Sequence, residues 1–298
     1  MCRRAGRERH RRSCETGDRG KILPAPPGTA IPGICCRNGR WDLAALLGRD
    51  RWRELMIHSA ILLAAGRGKR QRPYTDRIPK PLLPVRGRPT LDYVLTAVRR
   101  AGVERVCIVT RHLEEKIFEY VGDGSPWGLE VTFAHQNELR GSGDALLSVP
   151  RAWIRAEPVM VIATDYILQE NDLLDLVEAH EKNRADLTMS LKQCPVEELV
   201  ARSSVEVDAN GYVKRIIEKP TPQEIMSPYA ASILFILPPQ LWKYLTRLQP
   251  SPRGEIEMQA AVQMMIEDGF QAFGLLQPAP EEWKPDHMDN SVRNAESS

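Results

Sequence analysis

The 298 residues contain no apolar run near the roughly 20 that a membrane-spanning helix needs. No apolar core follows the arginines near the N-terminus, which excludes a secretory signal. Net charge is only +2, so bulk charge makes no case for a nucleic-acid partner or a membrane surface. The six cysteines show no metal-binding spacing. Cys35 and Cys36 are adjacent, and Cys107 and Cys194 fall in apolar segments. Reduced thiols in a cytoplasmic protein are the expectation, rather than disulfides or zinc. Six histidines yield no convincing nucleophile–histidine pair. His112 and His180 read as exposed helix residues, and His135, beside Gln136, reads as structural.

What is present is a soluble globular composition, 42% hydrophobic and 27% charged. The length suits one large α/β domain or two small ones. Residues 1–56 carry 13 Lys and Arg against 6 Asp and Glu, a surplus of +7 that leaves −5 on the remainder. Residues 1–55 read as a basic, proline-punctuated leader, disordered or dispensable, with Met56 as an alternative start and RNA binding as a minor alternative. From residue 57 onward strands and helices alternate. Strands are expected at 59–64, 105–110, 129–134 and 159–164, and helices at 90–101, 113–121, 143–150 and 172–183. That order predicts a mainly parallel sheet flanked by helices, with ligands at the carboxyl ends of its strands. After a strand at 186–191 the pattern changes. A hairpin turns at Asn210-Gly211, an apolar strand spans 230–237, helices are expected at 240–248 and 254–268, and a last strand lies at 270–276. This half reads as a β-rich extension that covers the second substrate. Tandem repeats are absent.

The most informative stretch is ILLAAGRGKRQRPYTDRIPKPLLPVRGRP, residues 61–89. A buried strand running into a glycine turn rich in Arg and Lys is a phosphate site in outline, because glycine admits close backbone approach and the cations offset charge. A Walker loop needs glycine at 63 and Ser or Thr at 70; Leu63 and Arg70 stand there. A dinucleotide fingerprint needs glycine at 71, where Gln71 stands. Leu63-Ala64-Ala65-Gly66-x-Gly68-x-Arg70, then Pro73-x-Thr75, then Pro79-Lys80-Pro81-Leu82-Leu83-Pro84-Val85, closely resembles the sugar-nucleotide pyrophosphorylases. Lys69 replaces the family's usual small hydroxyl residue, and Gln71 its apolar one. The resemblance extends over roughly residues 57–290, without the hexapeptide-repeat acetyltransferase tail that some relatives carry.

The resemblance implies a GT-A-like α/β fold over 57–298 that transfers a nucleotidyl group from an NTP to a sugar 1-phosphate. The nucleophile is already an anion, so charge neutralisation is the central task and no protein base is required. It implies nucleotide contacts from Leu63, Ala65, Gly66, Gly68, Arg70, Gln136 and Gly141. Gln136 would read a base edge, with Ser142 capping the next helix; Asp144 is unusual there. Arg70, Lys80, Asp165 and Lys219 are the implied catalytic groups. Asp165, closing the run VMVIATD, is an implied Mg²⁺ ligand with Asp286, although Asp289 competes for the second place. Glu218 and Lys219 would hold the sugar phosphate. Ser203, Ser232 and Gln259 depart from the family in the sugar pocket. Thymidine, uridine, cytidine and guanosine triphosphates all remain open, as does a homo-oligomer. Two alternatives stand beside this reading: cytidylyl transfer to a phosphorylated alcohol, and a non-catalytic sugar-nucleotide-binding subunit.

Overall fold

The computed structural model describes residues 57–169 and 171–287. The expected leader and Asp289 lie outside them. In chain order the described elements begin with β1 (Ser59–Leu63), β2 (Pro84–Val85), β3 (Arg88–Pro89), α1 (Thr90–Arg100), β4 (Arg105–Thr110), α2 (Glu114–Val121) and β5 (Glu130–His135). There follow α3 (Ser142–Leu147), β6 (Val159–Ala163), β7 (Tyr166–Ile167), α4 (Asp172–Asn183), β8 (Leu187–Gln193) and α5 (Val196–Leu199). The last are β9 (Ser203–Val207), β10 (Val213–Glu218), β11 (Tyr229–Leu237), α6 (Leu241–Leu245), α7 (Met258–Glu267), β12 (Ala272–Leu276) and β13 (Glu281–Glu282). No helix among the described residues is long and apolar enough to cross a membrane.

Seven strands form the central sheet in the order β12-β8-β11-β6-β1-β4-β5. All neighbours are parallel except β11, which runs antiparallel to both β6 and β8. Side chains of a strand alternate between faces, and both faces here are covered. Ile61, Val109, Val161, Met189 and Phe235 pack on one side with α3, α6 and α7. Leu62, Ile108, Ile162 and Ile236 pack on the other with α1, α2 and α4. That double burial is why β1, β4 and β6 read as continuous apolar runs.

The late half is not a separate layer, as the sequence pattern had implied. Strands β8, β11 and β12 complete the central sheet, and of this half the β9–β10 ribbon and β13, which pairs with β7, stand outside it. The expected helix at 254–268 begins at Met258 instead. Gly254 has φ +76°, and Glu257 is extended. The backbone between them is committed elsewhere: Ile256 N–H donates to the Arg140 carbonyl at 2.5 Å, and the Ile256 carbonyl accepts from Gly143 N–H at 2.8 Å. His180 is buried rather than exposed, and its Nδ1 meets Thr188 Oγ1 at 2.8 Å. Burial lowers its pKa to about 4.

Candidate active site

Parallel strands β1 and β6 end side by side, with Leu63 opposite Ala163. Thr164 Oγ1 locks the two ends by donating to the Leu63 carbonyl at 2.9 Å. Beyond Leu63 the chain enters the glycine loop. Gly68 is in the left-handed region at φ +60°, and a Cβ there would sit 2.7 Å from Thr75 Cγ2. Thr75 is buried and donates to the Gly68 carbonyl at 2.8 Å. Gly68 is therefore required by the fold itself. Gly66 is different: a Cβ there would meet nothing within 4 Å. Its missing side chain leaves open the space that a ligand can use.

That space is a cavity of about 650 Å³. Leu63, Ala65, Gly66, Gly68, Gln136 and Gly141 all line it, so the loop and the QNELRGSGD segment meet as the resemblance implied. Arg67 and Lys69 add positive charge to its wall. Arg111 also contributes; the sequence reading missed it, and no local motif marks it. It donates from Nη1 to the Gln136 carbonyl at 2.8 Å. Gly141 adopts φ +101°, ψ −178°, and a Cβ there would press on the Ile256 carbonyl at 2.7 Å. Ser142 does not cap α3, as had been expected. Its Oγ accepts from Met258 N–H at 3.0 Å, at the start of α7. His135 turns away and is bonded to Glu114 at 2.9 Å.

A second cavity of about 240 Å³ shares Ala163 and Ile233 with the first. Arg70, Lys80, Asp165 and Glu218 line it, together with Arg202, Ser203, Gln259 and Glu282. Lys80 opens a short helical turn behind an extended Pro79. The Pro81 carbonyl accepts from the Thr90 hydroxyl at 2.9 Å, which fixes the backbone next to that lysine. Its ammonium is paired with the Asp165 carboxylate. Tyr166, the next residue, is buried, and burial pushes its hydroxyl pKa up. The hydroxyl oxygen accepts from Ile233 N–H at 3.0 Å, inside the stretch where the β8–β11 register shifts.

Glu218 is pushed up to about 8 by burial and then by the nearby Glu257 carboxylate. Burial thus favours its protonated form, which can donate as well as accept. Lys219 stands beside this cavity, not in its lining, with φ +49°. Its Nζ pairs with Glu255 at 2.5 Å and lies 3.7 Å from Glu257. That pairing lowers the Glu255 pKa. Asp286 is exposed on the turn Pro285–His287 and is not part of the lining. The carboxylate that the last segment does bring to Asp165 is Glu282, on β13, which pairs with β7. Glu282 takes Arg202 Nη1 at 2.9 Å and Lys192 Nζ at 3.4 Å, and those cations hold its carboxyl below the usual range against the opposing effect of burial. Nothing in the motif around Trp283 signalled this residue. Its position follows from strand pairing alone.

A family described as nucleotidyl transferase matches residues 59–283. A low-salt glycan biosynthesis nucleotidyltransferase of Haloferax volcanii is 31% identical over 70% of this chain, which spans 57% of that relative's length. A glucose-1-phosphate thymidylyltransferase of an Actinoplanes species is 31% identical over 72% of this chain and 70% of its own. The fold is similar to that of a UDP-glucose pyrophosphorylase solved with UDP-glucose, at TM-score 0.68 and 21% identity over 82% of this chain and all of that one.

Proposed function

Because the chain belongs to the nucleotidyl transferase family, we propose that it joins a nucleoside triphosphate to a sugar 1-phosphate, releasing a nucleotide sugar and pyrophosphate. The observation that carries this reading is the pair of adjoining cavities, one floored by the glycine loop and Gln136, the other holding Arg70, Lys80, Asp165 and Glu218. The nucleoside occupies the larger and the sugar the smaller, so the reacting phosphates meet near Ala163 and Ile233. An oxygen of the sugar phosphate attacks the α-phosphorus in line, its bond forms as the bond to pyrophosphate breaks, and no proton need be removed. Arg67, Lys69 and Arg70 neutralise the triphosphate, and Lys80 leaves Asp165 for a phosphate oxygen once substrate arrives. Glu218 hydrogen-bonds sugar hydroxyls, and Lys219 exchanges Glu255 for the sugar phosphate.

Mg²⁺ takes one or two carboxylates with phosphate oxygens completing its shell. Asp165 fits that requirement, and from the last segment it is Glu282, rather than Asp286, that lines the cavity with it. No group of three or more His, Cys, Asp or Glu among the described residues could hold a metal, so substrate oxygens have to contribute. When bound, the ion would supply further neutralisation of the phosphates.

The test is pyrophosphate release from a matrix of nucleoside triphosphates and sugar 1-phosphates, with Mg²⁺ and with EDTA. Metal-dependent release with one pairing is expected, and Lys80→Ala and Asp165→Ala should each lower turnover by at least about a hundredfold without unfolding the protein. Silence across the matrix with nucleotide binding intact would instead identify a non-catalytic binding subunit.

A further inference from the structure

Asp144 is a buried carboxylate, 7% exposed, to which the transfer reaction assigns no task. It lies in the first turn of α3, beside the larger cavity. Its two oxygens have separate partners. Oδ1 accepts from Arg140, from Nε at 3.2 Å and Nη2 at 2.9 Å. Oδ2 accepts from Nε2 of Gln136 at 2.9 Å. The same amide nitrogen also donates to the Gly141 carbonyl at 3.3 Å. Gln136 is only 2% exposed, so these bonds form away from water.

A side-chain amide has two donors on nitrogen and one acceptor oxygen, whereas a carboxylate held by a guanidinium, like a peptide carbonyl, can only accept. The amide therefore has one permitted orientation. Turned over, Oε1 would face two acceptors, and a buried pair of hydrogen bonds would become a repulsion. With both amide protons committed, Oε1 is the polar atom of Gln136 left to meet a ligand in the cavity.

We infer that Asp144 is a positioning residue for nucleobase selection: it fixes Gln136 as an acceptor, so the cavity favours a base with a ring N–H on that edge. Uracil, thymine and guanine have one. Cytosine and adenine present a ring lone pair at the corresponding atom, and each reaches Oε1 with its amino group only by sliding along its edge. An unclamped glutamine would serve both patterns by rotating. The inference rests on the nucleotide reading of the larger cavity.

The experiment measures equilibrium binding of UTP, dTTP, GTP, CTP and ATP, together with kcat and KM wherever turnover occurs. It is run on the full chain and on Asp144→Asn and Arg140→Ala, with melting temperatures as the folding control. Asparagine keeps the volume of Asp144 but can donate, so it supports either orientation of Gln136. The wild type should prefer UTP or dTTP over CTP by about tenfold or more, the worth of one hydrogen bond lost in a buried site. In Asp144→Asn that ratio should fall to about threefold or less, with the change in KM and not in kcat. Arg140 has a side chain 47% exposed, so Arg140→Ala opens no buried cavity; it loosens the hold on Asp144 and should move the ratio the same way by less. It decides the matter if Asp144→Asn does not fold. An unchanged ratio in a folded variant, or a loss shared equally by all five nucleotides, would overturn the inference and leave Asp144 a structural residue. Selective binding without pyrophosphate release would keep it and overturn the transfer reading. Turnover that is indifferent to Asp144 would do the reverse, and no binding at all would overturn both.

Discussion

Two glycines of the same loop, two residues apart, do different work. Gly68 has a positive φ and no room for a Cβ against Thr75; Gly66 has open space over it. Alanine at 66 therefore costs the fold less than about 0.5 kcal/mol, as for a surface change. The same methyl group would intrude on a bound nucleotide, and about 1 to 3 kcal/mol of overpacking raises KM for the triphosphate at least about fivefold. Melting curves and initial-rate kinetics on Gly66→Ala separate the two roles; a lowered melting temperature with unchanged KM would show that Gly66 serves the fold. At this scale the sequence was most legible where neighbouring residues in the chain are also neighbours in space. The glycine loop and the Lys80 turn are such cases, since their proline and glycine chemistry acts within a few residues. Glu282 beside Asp165 was invisible, because that meeting depends on how distant segments pair; Asp144 stood out in its segment, but its bond to Gln136 depends on the course of the loop between them.

Among the elements, α1 and β4 match their sequence patterns, since one period of apolar residues suffices to define each. The start of α7 does not, and its reason lies in another element. The backbone of residues 254–257 stays out of the helix because Ile256 exchanges hydrogen bonds with Arg140 and Gly143. Gly141 makes that junction between α3 and α7 close enough to form, since any side chain there would strike the Ile256 carbonyl at 2.7 Å. Gly141→Ala is expected to destabilise the protein by about 1 to 3 kcal/mol, the cost of a residue held in a glycine-only backbone region. It should also weaken nucleotide binding, because the junction floors the larger cavity. Denaturant titration and nucleotide binding on the variant check both. Retained stability would show that the α3–α7 contact is loose.

Over the whole molecule, the fold class was legible from the alternation of strands and helices, but the order of strands was not. No local pattern tells β11 to insert antiparallel between β6 and β8, or tells β13 to return to β7. That return is anchored by Trp283, which is 5% exposed and packs with Leu83, Val85 and Ile167. Its indole N–H donates to the Pro84 carbonyl at 3.0 Å, across 199 residues of chain. Trp283→Ala should cost about 3 to 5 kcal/mol, as for other buried aromatic deletions. It should also lower turnover, because β13 carries Glu282 and β2 follows the Lys80 turn. A variant that loses stability but turns over normally would separate the anchor from the site.

The break in the β8–β11 register has a consequence for how such a protein diversifies. Where a ladder is continuous, its width is set by backbone geometry, which mutation cannot adjust in small steps. At Ile233 the tyrosine hydroxyl stands in for a ladder partner, and one side chain forms part of the wall of both cavities. Spacing between two occupants thus becomes a matter of side-chain volume at a single codon. Substitutions there can tune which pairs of molecules fit together while the sheet that holds them is inherited unchanged.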